Sequence, residues 1–173
     1  MRKNIFLLLF TCFIVLFTVA QQNKPEVKLK DLYGLIGCWE GTLTYLDYTS
    51  NKPYTMPAQI IVNDFRQTKI IACKTMYPDE PKANSLDTII VANGGRTLNG
   101  DTIIAKNKTA GDNLEIITES LAVDGNDSKP ATIRHTYLIS TESYIVKKEV
   151  RFAGQTTWLL RNEYRFRRKK PCL

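Results

Sequence analysis

The sequence predicts an all-β fold, an antiparallel up-and-down meander closed into a barrel of about 8–10 strands behind a short N-terminal helical turn. Three observations predict it. From Trp39 onward apolar and polar residues alternate, as in Trp39, Gly41, Leu43 and Tyr45 against Glu40, Thr42 and Thr44. A period of two marks strands with one buried face. The alternating runs are separated by short turn signals, Asn93-Gly94-Gly95 and Asn99-Gly100-Asp101 among them, so successive strands pair antiparallel. Beyond residue 36 no stretch sustains a helical period. The sheet therefore has no helices to cover it and must close on itself or stack as a sandwich. The hairpin spacing and the long final strands favour the barrel.

Residues 1–20 read as a secretory signal: Arg2 and Lys3 are followed by the apolar run Ile5–Val19 and then Ala20. Such a layout precedes cleavage, here near Ala20, and implies an exported protein, secreted or periplasmic. The run is shorter than the roughly 20 residues of a membrane span; an uncleaved N-terminal anchor is the alternative. No second hydrophobic segment follows, so no integral membrane contact is expected after cleavage. The remainder divides into a polar, flexible arm (residues 21–28), one barrel domain (residues 29–168) and a basic tail (residues 169–173).

Each element has its own signal. Leu29, Leu32, Tyr33 and Ile36 recur at helical spacing and predict a turn of helix plugging one barrel end. Strands follow at residues 39–45, 58–65, 69–77, 86–92, 97–99, 102–106 and 113–121. Pro78 and Pro81 fall in a loop, since proline cannot sit in a central strand. Three long strands finish the chain at residues 131–140, 143–153 and 156–167. In the last, Trp158, Leu160, Tyr164 and Phe166 share the expected inward face, against Arg161, Glu163, Arg165 and Arg167.

The chain carries a formal charge of +7, which loss of Arg2 and Lys3 lowers to +5. The excess lies in Arg165–Lys170 and reads as a solvated strand end. No helix-turn-helix or repeated aromatic–basic pattern is present, so nucleic acid is not an expected partner. With Cys12 in the export segment, Cys38, Cys73 and Cys172 remain. Export permits one disulfide, and closure of the barrel sets the first and last strands side by side. Cys38–Cys172 is then the expected pair; three unpaired thiols are the alternative.

Most catalytic constellations are excluded. His135 is the only histidine, which removes paired-histidine metal sites. No Cys-x-x-Cys, Gly-x-Ser-x-Gly or phosphate-cradling loop occurs. No metal site and no cofactor are expected. His135 lies in phase with Ala131, Ile133, Tyr137 and Ile139 on an apolar face, and Asn162 lies between Leu160 and Tyr164 on another. Buried polar groups need partners. His135, Tyr137, Asn162 and Tyr164 therefore form either a ligand-binding cluster in an apolar cavity or a structural network in a filled core. Glu115, Glu119 and Glu149 read as cross-strand ion pairs rather than acid–base groups.

Leu35-Ile36-Gly37-Cys38-Trp39-Glu40-Gly41, followed by the meander ending in Arg161-Asn162-Glu163-Tyr164-Arg165, resembles the calycin group of lipocalins, fatty-acid-binding proteins and nitrobindin-like barrels. It is similar to uncharacterised exported bacterial proteins of lipocalin-like type. The resemblance implies that Trp39 closes the barrel floor beside the ligand space. It also implies that a basic residue of the last strand, Arg161 or Arg165, packs over it. The implied function is binding of a small apolar ligand by a monomer or weak dimer, with Trp39, His135, Tyr137, Asn162 and Tyr164 at the ligand. The alternative is a non-enzymatic envelope or secreted interaction domain with a filled core. Two further readings use His135, as an axial haem ligand or as the base of a hydrolase or isomerase. The last requires a carboxylate in the cavity within hydrogen-bond reach of the imidazole, and it falls if the closest carboxylate faces solvent.

Overall fold

The computed structural model describes residues 24–65, 70–109 and 113–172. The expected export signal and the first residues of the expected arm lie outside the described residues. A 3-10 turn, Leu29–Leu35, precedes eleven strands: β1 (Gly37–Leu46), β2 (Pro53–Phe65), β3 (Ile70–Met76), β4 (Ser85–Ile89), β5 (Val91–Ala92), β6 (Thr97–Leu98), β7 (Asp101–Thr109), β8 (Asn113–Asp124), β9 (Lys129–Ile139), β10 (Ser143–Phe152) and β11 (Leu159–Lys169). They form one antiparallel sheet in the order β4-β3-β2-β1-β11-β10-β9-β8-β7-β6-β5. The two ends of that order follow one another in the chain, separated by Ile90. The barrel is thus nearly closed, with the segment Ser85–Ala92 pairing β3 through its first half and β6 through its second. At the corner between them Asn99 completes the join. Its backbone N–H donates to the Ile90 carbonyl (2.8 Å), and its side-chain oxygen accepts from the Ile90 N–H (2.9 Å).

Local chemistry explains the elements. The single run expected at residues 86–92 is split at Ile90 because its halves serve different neighbours. Asn99 and Gly100 both take positive φ (53° and 90°) between the paired residues Leu98 and Asp101. A two-residue hairpin turn of this kind requires positive φ at both positions, which Asn-Gly supplies at low cost. β2 starts at Pro53, earlier than the expected residue 58, and contains Pro57. Its pairing with β3 begins only at Gln59, so Pro57 lies on a stretch with one free edge, where a missing N–H is tolerated. Of the arm, residues 24–28 are described; there Val27 is fully buried and its N–H donates to the Gly95 carbonyl (2.8 Å).

The core fills the end of the barrel closed by the 3-10 turn. Leu32 and Leu35 of the turn pack with Trp39, Val62, Ile71, Ile116 and Phe166. Trp39 is buried and donates its indole N–H to the Leu35 carbonyl (2.7 Å), so the ring is tied to the plug it rests on. A Cβ at Gly41 would stand 1.9 Å from the Arg165 carbonyl oxygen, so only glycine lets β1 and β11 pair here. The basic residue over the tryptophan is neither Arg161 nor Arg165 but Arg168. It pairs directly with Trp39 in the β1–β11 register, and its guanidinium carbon lies 4.1 Å from the ring centroid. It also donates to the carbonyls of Ile36 (2.9 Å), Gly34 (2.6 Å) and Thr141 (2.5 Å). One side chain thereby fastens the plug, the last strand and the β9–β10 connection. Cys38 and Cys172 form a disulfide across the same end, with Cα atoms 5.2 Å apart.

At the opposite end the expected phase of the last strand fails. Lys148 pairs with Asn162 but Glu149 pairs with Leu160, leaving Arg161 as the extra residue of a β-bulge. A bulge shifts the alternation by one residue. Leu160, expected inside, is therefore 46% exposed, while Arg161, expected outside, is 9% exposed. Trp158 also leaves the inward face, stacked beneath the guanidinium groups of Arg134 and Arg151.

Candidate functional site

Between the plugged end and the bulge, the barrel interior holds a cavity of about 610 Å³. Its walls come from opposite sides of the sheet. β2 and β3 contribute Ile60, Cys73 and Thr75; β4 and the corner contribute Asp87, Ile89, Ile90 and Asn99; β9, β10 and β11 contribute His135, Tyr137, Tyr144, Val146, Asn162 and Tyr164. Period two puts the last six on the inner face. Tyr137 pairs with Val146 and Val146 with Tyr164, one rung below His135, Lys148 and Asn162.

The structure therefore brings His135, Tyr137, Asn162 and Tyr164 to one cavity. Trp39 is not among the lining residues. It lies deeper, its ring 6.0 Å from that of Tyr144, which does line the space. From Tyr144 the aromatic contacts continue through Phe166 to Tyr164, with centroid distances of 6.0 and 5.6 Å. Trp39 supports the floor of the cavity through this column.

The polar groups do not bond one another, as a single cluster would require. His135 and Tyr164 are each held by a residue from elsewhere in the barrel. The His135 Nδ1 lies 3.0 Å from an Asp101 carboxylate oxygen, and the Tyr164 hydroxyl 2.6 Å from that of Tyr77. With Asp101 accepting at Nδ1, a neutral His135 carries its proton there and leaves Nε2 as an acceptor. Thr118, beside His135 in the β8–β9 register, is fully buried, and its hydroxyl has no partner among the described residues.

Burial dominates the electrostatics. It pushes the Tyr137 phenol up to about 12, Asp101 adding to the effect. It raises the Cys73 thiol to about 11, with Asp87 contributing. Tyr164 is raised by burial and by its bond to Tyr77, and Tyr144 by burial. These four groups are neutral at physiological pH, so the cavity wall is apolar rings and uncharged hydroxyls with carboxylates at its edge. Toward the open end, Asp124 accepts from Lys148 (2.9 Å) and Arg161 (2.6 Å). Burial opposes ionisation of Asp124, but the two cations outweigh it and hold the carboxyl below its ordinary range. The Tyr48 hydroxyl completes the set at 3.1 Å. Glu119 forms the expected cross-strand ion pair with Arg134.

Sequence reasoning missed Asp101, Cys73, Tyr77 and Asp87. Cys73, Thr75 and Tyr77 continue the phase of the buried Ile71, so extending period two along β3 finds them. Asp101 hides in a turn tripeptide, where its role as a turn former is sufficient explanation.

No protein-family model matches this chain, and no curated protein matches it. Among solved structures, the crystal structure of Rv2717c from M. tuberculosis is similar at 13% sequence identity and a TM-score of 0.48, covering 82% of this chain and 97% of that one.

Proposed function

We propose that the chain is an exported container of lipocalin-like type, monomeric or weakly dimeric, that holds a small molecule with an apolar body inside the barrel. The observation that carries this reading is the cavity of about 610 Å³, which lies in the range of small-molecule sites. The Trp39–Arg168 floor supports the lipocalin-like comparison, and the apolar run Ile5–Val19 supports export. Among the described residues no helix is long and apolar enough to cross a membrane.

Native mass spectrometry of the protein purified gently from its own host tests the reading. A ligand mass lost on denaturation is expected, and Val146→Trp, which fills the cavity from one wall, removes it. A bare polypeptide mass in the native protein favours an interaction domain instead.

One observation favours a second reading. Asp101 stands within hydrogen-bond reach of His135, the arrangement that orients an imidazole as a general base. A hydrolase or isomerase using that pair predicts turnover of activated esters or enones with a pH profile that disappears in His135→Gln.

A further inference from the structure

Resting on the container reading, we infer that the cavity selects a cationic ligand, an amine or ammonium head on an apolar body, and discriminates against carboxylates. Among the described residues no lysine or arginine lines the space, whereas Asp87 does. Asp101 stands behind His135, a second carboxylate at the same wall. The nearest inward cations, Lys148 and Arg161, are both engaged by Asp124.

The free capacity at Asp87 is that of an acceptor. Ser85 donates to one oxygen of Asp87 (2.8 Å), so the other oxygen remains to accept. A neutral His135 offers Nε2 as an acceptor. A positively charged N–H donor matches these acceptors, whereas a carboxylate would meet the like charge of Asp87. Tyr137, Tyr144 and Tyr164 also line the space and bring aromatic rings of the kind that attract ammonium groups. The same negative field contributes to the raised Cys73 thiol and Tyr137 phenol, second to burial in each case.

The whole chain is basic, at +7. Its long-range field therefore favours anions, so a preference for cations has to originate in the cavity.

The experiment is displacement of a bound neutral fluorophore, N-phenyl-1-naphthylamine, by dodecyltrimethylammonium and by dodecanoate, each below its micelle concentration, at neutral pH. The tails match, so the ratio of half-displacing concentrations reports the head group. We expect the ammonium to act at a concentration about tenfold lower or less, equivalent to about 1.4 kcal/mol. The ratio should shrink at least about threefold in Asp87→Asn, an exposed position that the fold tolerates. Dodecanoate acting equally well or better overturns the inference and leaves the container reading standing. A preference unchanged in both Asp87→Asn and Asp101→Asn overturns the assignment to these carboxylates. Failure of the fluorophore to bind at all overturns the container reading together with this one.

Discussion

Removing the Cys38–Cys172 bond isolates what joins the ends of this barrel. The disulfide closes a sequence separation of 134 residues. In the chain-entropy model a loop of that size withholds about 17 cal/mol/K from the unfolded chain, or about 5 kcal/mol at 25 °C. Cys172 is exposed, so Cys172→Ala loses the crosslink and almost no packing. Cys38 is buried, so the double variant Cys38→Ala/Cys172→Ala loses roughly 1 kcal/mol more for the vacated sulfur site. Cys73 does not complicate the comparison, because its thiol is buried and raised to about 11 and is therefore a poor nucleophile. Equilibrium urea unfolding of the oxidised protein and of the two variants measures both quantities. A loss below about 1 kcal/mol in Cys172→Ala would refute the reasoning. It would mean that the unfolded ensemble already keeps β1 near β11, leaving the covalent bond little freedom to remove.

Three other outcomes follow from the described contacts. Gly41→Ala forces β1 away from the Arg165 carbonyl and should cost about 4 kcal/mol or more; an unchanged thermal midpoint would contradict the close approach. Arg168→Met keeps an aliphatic chain over Trp39 but deletes three bonds to carbonyls. It should lower stability by about 3 kcal/mol and weaken the near-ultraviolet circular dichroism of the tryptophan. Asp124 has a folded pKa below its unfolded value of about 3.9. Its contribution is thus present above about pH 4 and is lost as pH falls through the folded value. The urea midpoint should decline over that acid window, and Asp124→Asn should flatten this decline while costing about 3 kcal/mol at pH 7 by leaving Lys148 and Arg161 without their carboxylate.

Much of the barrel was legible because one face of each strand is buried. The alternation in residues 39–45 and 143–153 reports that burial directly, and the Asn99-Gly100 pair reports its turn through backbone sterics. The same logic placed His135, Tyr137, Asn162 and Tyr164 on inward faces. It broke down at Arg161, since a bulge is one residue inserted without any mark in the period, and every inference N-terminal to it on that strand reversed. It also overlooked Arg168. A basic run at a strand end reads as solvated charge, and only the β1–β11 register reveals that one member turns onto Trp39. Asp101 and Asp87 were missed for a related reason. Their partners, His135 and Cys73, lie on other strands, and pairing across a barrel is a property of register rather than of local pattern.

The strand order carries a kinetic consequence. Among the neighbouring pairs of the sheet, every joint but one links strands adjacent in the chain, and these can zip as hairpins with short loops to close. The exception is β1–β11, where Trp39 meets Arg168. Until that contact forms, the molecule is an open ribbon with two long edges and no interior. Topologies dominated by one distant contact fold slowly, because the loop entropy is lost before the contact returns anything. In the reduced chain, where no disulfide tethers β1 to β11, ring closure is therefore the step expected to set the folding rate. Substitutions at the Gly41–Phe166 and Trp39–Arg168 rungs should slow folding, whereas those in the β8–β9 hairpin should mainly speed unfolding.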